Sequence, residues 1–582
     1  MSTPREGTPP ARRRGRSVPA IYGVLSLVLV AGALTFALSA PPPSTPPLAE
    51  VAPAPQEDIE VERVEQSSRF GEGGGGEGDC ELGAQDCEGV GEQPATQPTA
   101  QPSVIETAPG AGFRRCYGTP PDQRQTEDPQ SPPCISEVWS GNNGGATASG
   151  VTATGIRVAV PWRDRDDAAV RPAIEAFARH FNQHYELHGR SIELVFVVPS
   201  ANTSGAEGRR AWARDLLAVE PFAALEPATG SSGEAAYYRT LDDAGIVATV
   251  GDVAQASASL PSLDAYSNVW SLFPTTNEAL RTSGEVVCRA FVGRRASHGG
   301  DDVRQRTRRF GVLQLDQHGE RVDASPLTSR LDACQAPYGT YTATMSDDES
   351  IEAALRSMRG DEVTTVICAC SSLEDNVPQA ADRLAWEPEW FHPATNDHTF
   401  SNGTTRGFNT APPAQVKHMF GITAQLRRPE ATTGAERERH EEQYWYHALQ
   451  REAPGSQFDG GTRSRRMYSY YAQLLILASG IQWAAGPELT PATFRDALEE
   501  LGYPNPRVGQ APWFQPSVSF GPADHVFNSD YAVFWWDAPE VDDSTHVKNG
   551  RMCYVGGGTR YETGTFPEDL DDRLFDPEAG CR

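Results

Sequence analysis

The sequence predicts an α/β protein whose parallel sheets are doubly wound, with helices on both faces. The clearest evidence is residues 222–251, where a short apolar strand, a Gly/Ser turn, an alanine-bearing helix and a β-branched strand follow one another. Two strands joined by one helix form the βαβ unit of a parallel sheet. Strand and helix alternate in the same way from about residue 155, and the pattern restarts at Phe310. Two successive α/β units are therefore predicted in one chain.

The composition is that of an exported protein that does not bind nucleic acid. The 582 residues are enough for two or three domains plus tails, while a hydrophobic fraction of 38%, with 54 Gly and 46 Pro, indicates that part of the chain is disordered. A formal net charge of -28 argues against nucleic acid or an anionic lipid surface as a partner. Ten cysteines without a CxxC pair are typical of an oxidising compartment.

The N-terminal segment is predicted to anchor the chain in the cell membrane. Residues 1–19 form a basic tail, and residues 20–40 carry no charge and are long enough to cross the hydrocarbon core as a transmembrane helix. Arginines precede this run and none follows it closely, so we expect a single-pass signal-anchor with the bulk of the chain extracytoplasmic. A cleaved signal peptide ending near Ala40 is the alternative.

Two further segments precede the predicted folded region. Residues 41–112 are rich in Pro, Gly and Glu and are predicted to be a disordered tether, because they cannot bury enough apolar surface to fold. Residues 113–154 are a cysteine-containing lead-in, and the fold is expected to begin near Gly150. Cys80 with Cys87 could close a small loop in the tether.

The predicted elements follow the α/β alternation. Residues 467–485 are apolar but include Ser469 and Gln473, so they are interpreted as a buried helix and not as a second membrane span. Gly245 is predicted as the left-handed residue that ends a helix. Strands are predicted at 156–161, 191–198, 222–225, 246–250, 310–315, 363–368, near 518 and at 531–536, helices at 171–185, 207–219, 234–244, 278–291, 350–359, 436–450, 467–485 and from 490, and a connection at 269–274.

The Gly/Ser turn at residues 228–233 is the first candidate binding site. Ligands of open α/β sheets bind at the carboxyl ends of the strands, which is where this turn would lie. Hydroxyls and free backbone N–H groups at a helix N-terminus suit a carboxylate or another anion. Ser231 and Ser232 are therefore candidate ligand-binding residues. The alternative is that one of them only caps the following helix.

Five stretches of the chain together resemble one protein family. They are, in order, VTATGIRVAVPW, GSSGEAAYYRTLDDAGIVATVG, NVWSLFPTTNEALRTSGEVVC, SYYAQLLILASGIQWAAGPELTPATFRDAL and SDYAVFWWD. Their order and spacing from about Gly155 to Asp537 resemble the type I periplasmic solute-binding proteins, in particular those of branched-chain amino-acid ABC transporters.

The resemblance implies two doubly wound lobes, joined by a hinge of three crossing segments, that close on a small polar ligand. Lobe 1 would comprise residues 155–275 and 427–517, and lobe 2 residues 276–426 and 518–582. The ligand would be amino-acid-like or amide-like, bound without a cofactor, and either delivered to an ABC permease or reported to a sensor partner.

The resemblance also implies a set of ligand-binding residues. Ser231 and Ser232 match the hydroxyl turn that holds a ligand carboxylate in the family. The other implied positions lie after strands of the two lobes: Trp162, Thr249, Gly251 and Asp252 in lobe 1, and His318, Ser371 and Ser372 in lobe 2.

The chain departs from the family at the position that would hold a ligand ammonium. Amino-acid binders usually have an acidic residue just after a proline in the second lobe, whereas Ala394 and Thr395 follow Pro393 here. The charge partner is therefore missing unless Asp397 takes its place. The usual Ser-Pro-Gly-Ala type loop of lobe 1 is also replaced, by residues 250–252.

Histidine spacing raises the question of a metal site. His180, His184 and His188 recur every four residues, so a divalent metal could bridge two of them on one helix face. A solvated face with a C-terminal histidine favoured by the helix dipole is the preferred interpretation, and no metal is predicted.

The remaining cysteines are assigned to the fold. Cys368 and Cys370 lie on one strand face and are interpreted as buried thiols or as bonded to other cysteines. The resemblance implies a disulfide between Cys288 and Cys334, because the family often has one in the second lobe. The other candidate pairs are Cys116 with Cys134 and Cys553 with Cys581.

The sequence contains no enzyme signature. A GxSxG elbow, a Walker-type GxxxxGK[ST], HExxH and a GxGxxG after a strand are all absent. The chain is therefore predicted to be a non-enzymatic extracytoplasmic solute-binding protein. The alternative is a degenerate relative that serves as a protein-interaction module of the cell envelope, and an extracellular enzyme is the third hypothesis.

Overall fold

The computed structural model is a mixed α/β protein with parallel sheets. The chain divides into residues 1–96 and 97–582, and every described residue belongs to the second part, so the predicted tail, anchor and tether lie outside the described residues. Within the described part, no helix is both long and apolar enough to cross a membrane. The described residues are 116–117, 124–125, 127–128, 130–135, 139–163, 170–200, 203–226, 233–251, 263–317, 320–370, 376–394, 411–424, 444–456, 462–483, 487–503, 518–522, 524–537 and 551–576.

The first sheet has five parallel strands. After the antiparallel pair β1 (Cys116–Tyr117) and β2 (Arg124–Gln125), its strands and helices are β3 (Gly155–Pro161), α1 (Val170–His184), β4 (Ser191–Val197), α2 (Gly205–Leu217), β5 (Ala223–Ala224), α3 (Glu234–Asp243), β6 (Val247–Val250) and β7 (Val269–Ser271). The order across the sheet is β4-β3-β5-β6-β7, which is 2-1-3-4-5 counted along the chain. The strands and helices predicted in this part are confirmed, with Gly245 left-handed after α3.

Strand β7 replaces the connection predicted at residues 269–274. Val269 and Trp270 are fully buried, and Ser271 pairs in parallel with Val526. The Trp270 ring stacks on His525, with 4.1 Å between the ring centroids. The sequence does not predict this strand, because one of the two segments that it pairs with lies about 250 residues later in the chain.

The second sheet repeats the order of the first. Its strands and helices are α4 (Thr276–Val286, followed by a π-helical turn at Val287–Phe291), β8 (Phe310–Gln317), β9 (Glu320–Arg321), α5 (Ser325–Ala333), β10 (Tyr338–Thr344), α6 (Asp348–Gly360), β11 (Thr365–Ala369), α7 (Asn376–Arg383), β12 (Glu389–His392), α8 (Pro413–Val416) and β13 (Met419–Thr423). The parallel part runs β10-β8-β11-β12-β13, again 2-1-3-4-5 along the chain, with β9 antiparallel to β8.

The last part of the chain contributes to both sheets. Its elements are α9 (Tyr444–Glu452), α10 (Thr462–Trp483), α11 (Pro491–Glu499), β14 (Gly502–Tyr503), β15 (Val518–Ser519), β16 (Asp530–Asp537), β17 (Arg551–Tyr554) and β18 (Arg560–Glu562). Helices α9 and α10 pack on α1 of the first sheet, whereas β16 joins β13 of the second sheet antiparallel. Among the described elements, the chain therefore passes between the two sheets three times: after β7, after β13 and before β16.

The lead-in is part of the fold, which begins earlier than the predicted Gly150. Several of its polar side chains are buried because they find partners in the first-sheet part. Asp128 accepts a hydrogen bond from the Tyr471 hydroxyl (2.9 Å), and the hydroxyls of Ser131 and Tyr185 lie 2.6 Å apart. A segment that folds through such long-range polar contacts has no apolar periodicity, and the sequence therefore does not reveal it.

Two disulfides are described in full. Cys288 is bonded to Cys334, which confirms that pair. Cys368 is bonded to Cys370, and the interpretation of these two as thiols or as partners of other cysteines was wrong. Residues two apart point to the same strand face, and β11 ends between them, which brings the sulfurs together. Cys134 and Cys553 are also in disulfides, while the predicted partners stay predictions.

Candidate functional site

The repeated strand order defines where each sheet can bind a ligand. In a 2-1-3-4-5 sheet the first and third strands are neighbours whose connections leave to opposite faces, and ligands bind in the crevice at their carboxyl ends. In the first sheet these strands are β3 and β5, and in the second sheet they are β8 and β11. We call these two positions the first and the second switch point.

Trp162 forms one wall of the first switch point. It follows the last residue of β3, its backbone N–H donates to the carbonyl of Val197 (2.9 Å), and its ring packs edge-on against Phe196 with 5.5 Å between centroids. Only 7% of the side chain surface is exposed. The tryptophan is therefore held rigidly at the edge where the sequence predicts it.

Glu226 is a buried carboxylate at the same edge, and the sequence analysis missed it. It follows β5 by two residues and is 4% exposed. Its Oε2 accepts a hydrogen bond from the backbone N–H of Gly251 (2.7 Å), which links the ends of β5 and β6. An acidic residue directly after a buried apolar strand was the available signal, in the run FAALEP.

Gln473 of α10 organises the polar groups between these strand ends. Its side-chain carbonyl accepts from the backbone N–H of Glu226 (2.6 Å) and from the hydroxyl of Thr249 (3.0 Å), and its amide donates to Ser469 Oγ (3.3 Å). A Cβ on Gly251 would lie 2.2 Å from Ser469 Oγ, so only glycine permits this approach of α10. Gln473 is more than 220 residues from Glu226 and Thr249 in the chain, which hides these contacts from sequence analysis.

A neutral tyrosine supports the end of β5. The Tyr237 hydroxyl donates to the carbonyl of Leu225 (3.0 Å), the residue before Glu226. Burial raises the pKa of Tyr237 well above its ordinary value, so the hydroxyl keeps its proton and remains a donor. The end of β5 is thus held by Tyr237, through Leu225, and by Gln473, through Glu226.

The structure describes three of the nine predicted ligand-binding residues. Thr249 and Gly251 lie together beside Glu226, and both are buried. Trp162 lies at the end of β3, two strands from β6. The other predicted positions lie outside the described residues and stay predictions: Ser231, Ser232, Asp252, His318, Ser371 and Ser372.

Helix α3 bears on the alternative role of the serines. Its N-cap residue is Gly233, with a left-handed backbone (φ 90°) and no side-chain cap. The interpretation of Ser231 or Ser232 as the N-cap residue was therefore wrong. Gly233 is required here because a Cβ would lie 2.5 Å from the backbone nitrogen of Ala206.

At the second switch point the structure describes the strand ends. β8 ends at Gln317, and β11 ends at Ala369, followed by Cys370 in its disulfide with Cys368. The disulfide constrains Cys370, which directly precedes the predicted ligand-binding residues Ser371 and Ser372. Ala394, at the position where an amino-acid binder would have its acidic residue, is 6% exposed, and Asp397 lies outside the described residues.

The histidine series at the end of α1 does not form a solvated face, and that part of the interpretation was wrong, because two of its three members are buried. His180 is 1% exposed and His188 is 6% exposed. The His180 ring packs against Phe181 and Tyr471, because α10 covers this face of α1. His188 Nε2 lies 3.1 Å from the carbonyl of Ile481, so this histidine joins the turn after α1 to α10.

Comparison with known proteins finds similarity to solved structures only. No protein-family model matches the chain, and no curated protein sequence matches it. An ABC transporter substrate-binding protein from Desulfitobacterium hafniense is similar at 15% identity and a TM-score of 0.43, over 69% of this chain and 100% of that chain. A substrate-binding protein of an ABC transporter from Aeropyrum pernix is similar at 11% identity and a TM-score of 0.46, over 72% and 97%.

A third solved structure is the fatty acid ABC transporter substrate-binding protein from Thermomonospora curvata. It is 12% identical, with a TM-score of 0.41, over 73% of this chain and 99% of that chain. These structures belong to the class of ABC transporter substrate-binding proteins that the sequence resembles.

Proposed function

We propose that the chain is an extracytoplasmic solute-binding protein whose two α/β lobes close on a small polar ligand. The observation that carries this proposal is the repeated 2-1-3-4-5 strand order, with three passages of the chain between the two sheets. Each sheet then offers its own switch point, and three crossing segments form a hinge. A ligand that contacts both switch points binds the closed state more tightly than the open state. This difference in affinity shifts the equilibrium toward closure.

The chemistry of the first switch point supports a polar ligand with a hydrogen-bond donor. Glu226 places a carboxyl group, a hydrogen-bond acceptor, beside the ends of β5 and β6, and Trp162 offers an apolar ring at the end of β3. Ser231 and Ser232, which follow β5 in the chain, would accept or donate at the other end of the ligand. An amide or an ammonium group directed toward Glu226 meets both requirements.

The disulfides support an extracytoplasmic location. Cys288–Cys334 and Cys368–Cys370 are closed, and Cys134 and Cys553 are also bonded. Disulfides persist in oxidising compartments and are rare in the cytosol. Together with the uncharged run at residues 20–40, they fit a chain held at the outer side of a membrane, where a permease or a sensor partner could take over the ligand.

Thermal unfolding in the presence of candidate ligands tests the proposal. We expect one or more members of a library of amino acids, amides, polyamines and short peptides to raise the Tm. At a hundred times Kd, such a ligand adds about 2.7 kcal/mol to the free energy of unfolding. The double variant Ser231→Ala with Ser232→Ala should abolish this shift, and Glu226→Gln should weaken it for ligands with an ammonium group. Ser357→Ala, on the exposed face of α6, is the matched control and should leave it unchanged.

One observation favours the alternative function, an interaction module of the cell envelope. The Thr249 hydroxyl is bound to Gln473 and fully buried, so this position of the implied ligand set is already occupied by an internal contact. If no compound shifts the Tm of protein with a cooperative unfolding transition, the solute-binding proposal is contradicted and the interaction module is favoured.

A further inference from the structure

We propose that His180, His184 and Glu452 form a binding site for a divalent transition metal of the Zn²⁺ type. This site is separate from the two switch points and does not depend on the proposed ligand-binding function. It joins α1 to α9, and the lead-in contributes a supporting carboxylate, Glu127.

The three candidate ligands already converge in the absence of a metal. His180 and His184 are four residues apart on α1, which places them on one face, with 4.7 Å between their ring centroids. Glu452 is the last residue of α9, which packs on α1. One ligand atom from each residue lies within 4.8 Å of the other two. In a tetrahedral zinc site with bonds of about 2.1 Å, ligand atoms are roughly 3.4 Å apart. Side-chain rotations that move each ligand atom by about 1 Å would therefore complete the geometry.

His180 is a buried imidazole without a partner among the described residues. Its side chain is 1% exposed, and neither ring nitrogen has a hydrogen-bond partner. Buried polar groups are nearly always paired, and a bound metal would supply the missing partner.

Glu127 completes the arrangement that metal-binding histidines usually have. His184 Nδ1 lies 3.4 Å from Glu127 Oε1, and the Glu127 side chain is 6% exposed. A carboxylate on one ring nitrogen fixes the tautomer and leaves Nε2 of His184 for the metal.

Exposed side chains hold the cluster in the metal-free state. Arg451 Nη1 lies 3.3 Å from His184 Nε2, and Gln183 Nε2 donates to Glu452 Oε2 (3.3 Å). Arg451 has its side chain at the surface and can turn outward when a cation arrives. The cluster also lies at the C-terminal end of α1, where the helix dipole favours positive charge.

The position of the cluster indicates a stabilising role rather than a role in ligand binding. Helix α1 connects two parallel strands and so runs opposite to them, which puts its C-terminal end at the edge of the sheet away from the switch point. A metal there would tie α9, the first described helix after the second passage between sheets, to α1. The ligand-free and ligand-bound forms should therefore bind the metal equally well.

Zinc titration of the purified full-length chain tests the site. After treatment with a chelator, we expect calorimetry to detect one Zn²⁺ per chain that also raises the Tm. His184→Ala and Glu452→Gln should each weaken Zn²⁺ binding at least tenfold, because each removes a ligand. Arg451→Ala should strengthen it, because a competing positive charge is removed. His447→Ala removes an exposed histidine from the same helix as Glu452 and should have no effect.

Cobalt spectroscopy gives an independent readout. Co²⁺ in a tetrahedral site of two histidines and one carboxylate should show visible absorption that Glu452→Gln alters and His447→Ala does not. The inference is overturned if Zn²⁺ and Co²⁺ do not bind, or if they bind with the same affinity to the His184→Ala and Glu452→Gln variants. The thermal unfolding of each metal-free variant is compared with that of the metal-free parent chain, so that a loss of fold is not mistaken for a loss of metal binding.

Discussion

At the scale of single residues, buried charges are placed where they find partners from distant parts of the chain. Arg308 is fully buried in the second-sheet part and donates to both carboxylates of Glu389 and Asp571 at 2.8–2.9 Å. His298 Nε2 lies 2.9 Å from Asp571 Oδ1. A buried ion pair of this kind is costly to break, since the remaining charge has no water to solvate it. The turn at Leu570–Arg573 is thereby attached to the sheet.

This cluster predicts a specific loss of stability in acid. Burial alone would raise the pKa of Asp571, but the hydrogen bonds from His298 and Arg308 outweigh it and lower the pKa to about 2. An aspartate in the unfolded chain titrates near pH 3.9. The ionised Asp571 therefore adds up to about 2 kcal/mol to the free energy of unfolding. This contribution is fully present above pH 5 and is lost as the pH falls toward 2. Denaturant unfolding between pH 6 and pH 3 should show a smaller pH dependence in Asp571→Asn than in the parent chain. The exposed Asp302→Asn is the control, and equal slopes in both variants would contradict this assignment.

The same residues mark a limit of sequence analysis. Strand β12 contains Glu389 and His392 in four residues, a composition that does not predict a buried strand. It is buried because Arg308, 81 residues earlier, neutralises Glu389. At the first switch point, Trp162 and Gly251 could be predicted from their places after strands, whereas Gln473 could not.

At the scale of elements, close contacts between helices and strands fix the lobes internally. Gly480 of α10 lies against the ring of Phe494 in α11, and a Cβ there would be 2.3 Å from the ring. The apolar run at residues 467–485 predicted α10, and the capping pattern that begins at Thr490 predicted α11. Strand β10, an edge strand with three of its seven residues exposed, and the short β13 were missed, since neither shows a long apolar pattern.

The α10–α11 contact gives a prediction for two helical glycines. Gly480→Ala should lower the free energy of unfolding by about 1–3 kcal/mol, because the added methyl group must displace a rigid, buried ring. Gly360→Ala, at the end of α6 with open space around it, should be neutral or slightly stabilising. Urea denaturation of both variants makes the comparison, and an unchanged Gly480→Ala protein would mean that α10 and α11 pack less closely than described.

At the scale of the whole molecule, the central feature is the repetition of one strand order in two sheets. Hydrophobic patterning predicted two α/β units, and the resemblance predicted that the chain returns to the first after visiting the second. The passages after β7 and β13 and before β16 agree with that expectation. The lead-in was underestimated, because its contacts with α10 and the turn after α1 are polar and long-range.

Hydrogen exchange measured with and without a ligand found by thermal unfolding tests the proposed closure most directly. If one ligand bridges the two switch points, amide protection should rise together in residues 227–232, which follow β5, and residues 371–375, which follow β11. Backbone groups that contact a ligand or close around it exchange only when the complex opens. Protection confined to one of the two segments, or to neither, would contradict a ligand held between the lobes.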